Sequence, residues 1–119
     1  MGKMSRDKGK RGERMWASLC REYGFDVHRT SQYCGNTGEA SDVVGLPNIH
    51  VEVKFVERLN IYDAVSQAMR DAEQDGRMPI VASKKSRFPW LVTMPADVFF
   101  KIYGESTYCE ELPFTGDDV

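Results

Sequence analysis

Two β-branched runs, Ser41 to Leu46 and Ile49 to Val56, are joined through Leu46-Pro47-Asn48, and the turn chemistry at Pro47 predicts an antiparallel hairpin. Side chains alternate along the second run, so Ile49, Val51, Val53 and Phe55 point one way and Glu52 and Lys54 the other. Acid and base then stand about 7 Å apart on one face. A lone pair of this kind is usually just the charged solvent face of a half-buried strand. The first run changes that. If the loop is three residues long, Gly45 pairs with Ile49 and Asp42 lies across from Glu52, whereas a two-residue loop turns Asp42 to the wrong face. Facing carboxylates destabilise a sheet unless a cation or proton intervenes, so this register asks for a metal.

The remaining elements surround that hairpin. Met15, Trp16, Leu19, Cys20 and Tyr23 recur at helical spacing, predicting an amphipathic helix from about Lys8 to Tyr23, with Gly24 at its C-terminal cap. Phe25 to Ser31 reads as a strand and Gln32 to Ala40 as a polar loop. Asn60 caps a second helix running to about Asp75, with Ile61, Val65, Ala68, Met69 and Ala72 as its apolar stripe and Gly76 beyond its end. Strands at Pro79 to Ser83 and Trp90 to Thr93 follow, then a short helix from Ala96 to Tyr103, entered through Pro95 and stopped by Gly104. The order α-β-β-β-α-β-β-α predicts an α/β fold, one mixed sheet flanked by helices. Length allows a single domain, assigned to residues 1–104, with an acidic C-terminal tail at 105–119.

Charge supports a phosphate-bearing partner despite the net value of −2. Five of the 18 acids lie beyond Lys101 with no base among them, so residues 1–101 hold 16 bases against 13 acids, a net of +3. Six bases, Lys3, Arg6, Lys8, Lys10, Arg11 and Arg14, fall in the first fourteen residues, as in an arm that tracks a nucleic-acid backbone. The alternative is a solvated helix start. No apolar run is long enough to span a membrane and no apolar leader segment follows the basic start, so the expected location is the cytoplasm. Cys20, Cys34 and Cys109 are an odd, widely spaced set that fits reducing surroundings. Cys34 and Cys109 with His28 and His50 offer zinc-ligand types, but no spacing supports a zinc site.

Glu13 supplies a third acid, because Trp16, Ala17 and Cys20 lie at i+3, i+4 and i+7 from it and place it beside the apolar face of the first helix. It could instead simply pair with Arg11 or another base. Gly9 and Gly12 leave room for close backbone or phosphate approach. Three carboxylates with a nearby lysine suit Mg²⁺, with Mn²⁺ as a substitute, because such ions keep several waters and borrow phosphate oxygens. A metal held this way polarises a phosphoryl oxygen and generates hydroxide from water. Lys54, with a reference pKa of about 10.4, suits orienting water or stabilising phosphoryl charge better than acting as a base.

The residues here resemble the PD-(D/E)XK nuclease superfamily, with spacing most like the archaeal-type Holliday junction resolvases. KGKRGERMWASLCREYGF, VHRTS, SDVVGLP with IHVEVKF, and IYDAVSQAMR carry the likeness, which spans Lys8 to Trp90. It implies a restriction-endonuclease-like fold and metal ligation by Asp42, Glu52 and the Val53 carbonyl, with Glu13 direct or through water. It further implies assistance from Lys54 and Gln67, and backbone contacts from Arg14, Arg29 and Ser31 beside Lys8, Lys10 and Arg11. Ser41 stands where the eponymous proline would be.

The expected activity is Mg²⁺-dependent endonucleolytic cleavage of branched DNA by a homodimer, in recombination or repair. The same site could instead serve flaps, ends or duplex, since one scaffold hosts many specificities. An idle DNA-binding module of this fold is the third reading; the intact acids, which repel phosphate, count against it.

Overall fold

Pairing of Val43 with Val51 sets the hairpin register. That is the register a three-residue loop requires; Asp42, just before the paired residues, also donates its N–H to the Val51 carbonyl. The computed structural model describes residues 2–29 and 42–111, with side chains over 7–29 and 42–110. In chain order the elements are α1 (Gly2–Glu22), β1 (His28–Arg29), β2 (Val43–Val44), β3 (Ile49–Phe55), α2 (Ile61–Asp75), β4 (Met78–Lys84), β5 (Leu91–Thr93), α3 (Ala96–Gly104) and α4 (Thr107–Glu111). They form a five-stranded mixed sheet in the order β1-β2-β3-β4-β5, in which β3 and β4 are parallel and the other neighbours antiparallel. The parallel pair needs a crossover, and α2 supplies it.

β3 is therefore central, and its charged face looks onto α2 rather than into solvent. His50, Val51, Glu52 and Val53 are all buried. On the α1 side, Trp16, Ala17 and Cys20 pack with Val27, Val43, Val51, Val53, Ile80, Ala82 and Val98. On the other side, Ala64 and Ala68 of α2 pack against Val81, supported by Leu59, Ile61 and Val65. The N-cap is as expected: Asn60 accepts a hydrogen bond from the Asp63 N–H at 3.1 Å. Gly76 closes α2 at φ 70° with its N–H on the Ala72 carbonyl.

Several features differ from expectation. α1 begins at Gly2, so the basic arm is the start of that helix; lysine, arginine and methionine are good helix formers, and they offset Gly9 and Gly12. Tyr23 is exposed because α1 stops at Glu22. Met69 is also exposed, and the small residues Ala64, Ala68 and Ala72 make the α2 seam, which lets the helix sit close to the sheet. Thr107–Glu111, placed in the acidic tail, form α4. Of the strand expected at Phe25 to Ser31, only His28–Arg29 pair among the described residues; Thr30, Ser31 and the 32–40 loop lie outside them.

Candidate active site

Asp42 is fixed by the hairpin backbone. Its N–H donates to the Val51 carbonyl at 3.1 Å, and its Oδ2 accepts the Val53 N–H at 2.8 Å. Gly45 makes this turn possible. At φ 126° it occupies a region that other residues avoid, and an added Cβ would lie 2.3 Å from the Asp26 carbonyl oxygen. Asn48 completes the turn at φ 67°, which asparagine tolerates.

α1 brings in the third acid by crossing β3 at close range. Gly12 lies under Phe55, where a Cβ would come within 2.7 Å of the phenylalanine's own. This is the close approach expected of the glycine pair, but it is made at Gly12 alone, Gly9 having nothing within 4 Å of an added Cβ, and it allows Glu13 to reach the cleft. Lys8, Gly9, Glu13, Asp42, Glu52, Val53, Lys54, Phe55, Val56 and Gln67 line one open cleft of about 390 Å³. Glu13 has a partner there: its Oε1 accepts the Arg29 Nε–H at 2.9 Å. That pair ties α1 to β1 and orients the carboxylate. Lys54 donates from Nζ to Gln67 Oε1 at 3.4 Å, which aims the lysine along the cleft.

The cleft holds more negative charge than its own cations offset. Burial pushes the Asp42 carboxyl up to about 7; the Glu52 and Glu13 charges add to this, and the Val53 N–H and Lys54 oppose it only in part. The sign follows directly. A folded-state pKa above the ordinary carboxylate value means that ionising Asp42 destabilises the fold, so metal-free stability falls as pH rises from about 4 to about 7. A divalent cation that replaces the proton restores it. Mg²⁺ should therefore raise the melting temperature more at about pH 8 than at about pH 5.5, as differential scanning fluorimetry would read. Equal shifts at the two pH values would overturn this expectation.

The basic residues divide between two surfaces. The Lys8 Nζ and the Arg11 guanidinium sit 5.2 Å and 5.6 Å from the Phe55 ring centroid, at the lip of the cleft. Arg14 and Arg29 line a neighbouring groove with Ala17, Arg21 and His28. Lys10 is half-buried and does not line the cleft. Of the conceivable zinc set, Cys34 lies outside the described residues, and the other three do not come together: Cys109 is exposed on α4, His28 faces Asp26, and His50 is enclosed between β3 and α2.

Sequence reasoning missed Asp71 and Asp75, and did not place His50 against them or against Glu52. His50 Nδ1 lies 2.8 Å from Asp75 Oδ2, and its Nε2 lies 3.4 Å from Glu52 Oε2. Burial opposes a charge on this imidazole, but its hydrogen bonds to Glu52 and Asp75 outweigh that and raise its pKa. The signal was present in the spacing. His50 is two residues before Glu52 on the same strand face, and Asp71 and Asp75 follow Gln67 at four-residue steps.

A mixed sheet whose central hairpin turns an aspartate and an ExK strand toward a helix-borne glutamate is the architecture of PD-(D/E)XK nucleases. The chain belongs to one family of them: residues 4–112 match the family described as "Phage putative PDDEXK endonuclease". Among solved structures it is similar to Hjc, a Holliday junction resolvase of the archaeal hyperthermophile Archaeoglobus fulgidus. The TM-score is 0.54 and the identity 26%, over 76% of this chain and 74% of that one. A search of curated proteins finds no match.

Proposed function

We propose that the chain is a divalent-metal-dependent endonuclease that hydrolyses phosphodiester bonds in branched DNA and acts as a homodimer. The observation that carries this reading is the convergence of Glu13, Asp42 and Glu52 on the cleft that also takes Lys54. The donor set fits a hard cation: all three acids offer oxygen, the cleft is open, and the pKa of Asp42 is raised by its burial and by the charge of Glu52. Asp42, Glu52 and the Val53 carbonyl would hold Mg²⁺ or Mn²⁺, with Glu13 on its outer side. Such an ion supplies charge to a phosphoryl oxygen and acidity to a water. Lys54, aimed by Gln67, stabilises the developing phosphoryl charge, and Lys8 and Arg11 hold the backbone at the lip.

DNA approaches over a basic rim. A second cleft of about 380 Å³ adjoins the first through Val56 and is lined by Lys84, Lys85 and Phe88, with the Lys85 Nζ 4.8 Å from the phenylalanine ring. The preference for branched DNA and the dimer rest on the likeness to the archaeal resolvase, whose four-way substrate needs two symmetric nicks. No helix among the described residues is long and apolar enough to cross a membrane, in keeping with a nucleic-acid substrate.

The test offers labelled four-way junction, flap and plain duplex DNA to the purified chain, in Mg²⁺, Mn²⁺ and EDTA. Symmetric, metal-dependent nicks confined to the junction are expected. Cutting of flap or duplex at equal rates would retain the nuclease and discard the junction preference. Binding without cleavage in either metal would defeat the enzymatic reading.

A further inference from the structure

We infer that His50, Glu52 and Asp71 form a second divalent-cation site, of the nitrogen-containing kind that favours Zn²⁺ or Co²⁺ over Mg²⁺. Among the described residues, they are the one group of three metal-capable side chains whose donor atoms all lie within 4.8 Å of one another. The site comes from matched spacing. Four residues of helix advance about 6.0 Å and two residues of strand about 6.7 Å, so Gln67, Asp71 and Asp75 of α2 can face Lys54, Glu52 and His50 of β3 in turn. The two ends of this seam are linked, loosely from Lys54 to Gln67 at 3.4 Å and closely from His50 to Asp75 at 2.8 Å. The middle step is different, because it sets the Glu52 and Asp71 carboxylates close together.

The only group of the seam paired with that step and able to offset its charge is the His50 imidazole, among the described residues. Among the described residues, no lysine or arginine pairs with Glu52 or Asp71, and one imidazole faces three carboxylates. His50 is fully enclosed and Glu52 is 4% exposed, so water screens them little. The histidine is also arranged as a ligand. A carboxylate can only accept, so Asp75 takes the Nδ1–H, which leaves Nε2 directed at Glu52; a carboxylate behind the imidazole is the usual support of a metal-bound histidine. The 3.4 Å from Nε2 to Glu52 Oε2 is long for a hydrogen bond. With metal bonds of about 2.0–2.1 Å, the same separation subtends about 110°, the tetrahedral angle. Asp71, half-buried on α2, completes three protein ligands and leaves a fourth position for water.

The site shares Glu52 with the cleft but uses neither Asp42 nor Glu13, which makes the two ions separable. The full chain, held in excess Mg²⁺, is titrated with Co²⁺ and read by visible absorption, where tetrahedral Co²⁺ gives bands that Mg²⁺ cannot. One Co²⁺ per chain is expected in the wild type and in Asp42→Asn. Asp71→Asn should weaken it at least tenfold, and Asp75→Asn by about 10–100-fold. Both asparagines conserve shape on half-exposed or exposed positions of α2, and circular dichroism checks that the helix remains. Absence of the band in the wild type would overturn the proposal. So would a band that Asp71→Asn leaves unchanged or that Asp42→Asn abolishes, since the ion would then belong to the cleft. Failure of the nuclease reading would appear instead as absent cleavage with Co²⁺ binding intact.

Discussion

Asp42→Asn should lower cleavage by about 10³-fold or more, roughly 4 kcal/mol of transition-state stabilisation, while the metal-free protein becomes more stable at about pH 8. The two effects have one cause. The amide keeps an oxygen that can accept the Val53 N–H, which the carboxylate accepts at 2.8 Å, so the hairpin loses no buried hydrogen bond. It removes the charge whose ionisation burial and Glu52 oppose. What is lost is the anionic oxygen that a hard cation needs. The melting temperature in EDTA should rise, its further rise on adding Mg²⁺ should shrink, and cleavage should fall in the same preparation. A merely damaged fold would lower both stability and activity. Cleavage within tenfold of the wild type would remove Asp42 from the site.

Gly45→Ala should destabilise the domain by about 3 kcal/mol or more, lowering its melting temperature by about 10 °C. The alanine would be strained at φ 126°, and its Cβ would meet the Asp26 carbonyl oxygen at 2.3 Å and Val27 Cα at 2.6 Å. Those contacts are backbone, which cannot swing aside as a side-chain tip can. Relief requires β2 to separate from the 26–27 segment, and that shift displaces Asp42 three residues away. Thermal or urea unfolding measures the first effect and residual cleavage the second. Gly76→Ala is the internal comparison: its φ is also positive, at 70°, but no atom lies within 4 Å of the added Cβ. It should cost about 1 kcal/mol and leave activity unaltered. Equal losses in the two variants would show that the crowding at Gly45 is relieved cheaply.

The hairpin was legible because its information is local. Period-two alternation with a three-residue loop pairs Val43 with Val51, the register observed, whereas the sequence left a two-residue loop open as the alternative. The same holds for α2, whose capping asparagine and terminal glycine mark its ends. The beginning of α1 was less legible. A basic segment reads equally well as an arm or as the first turns of a helix, and the structure has it as helix from Gly2.

The sequence by itself therefore determined the order of elements, the central hairpin and the candidate acids, since each follows from patterns a few residues long. Tertiary structure alone decided what faces them. That Arg29 holds Glu13, that Gly12 lets α1 descend onto Phe55, and that Asp75, Asp71 and Gln67 meet His50, Glu52 and Lys54 are contacts between elements distant along the chain. A helical period leaves the rotation of α2 over the sheet open, and only the burial of Ala64, Ala68 and Ala72 sets it. That rotation turns an alternating strand that looks like a solvated charged face into a buried seam of ionisable groups.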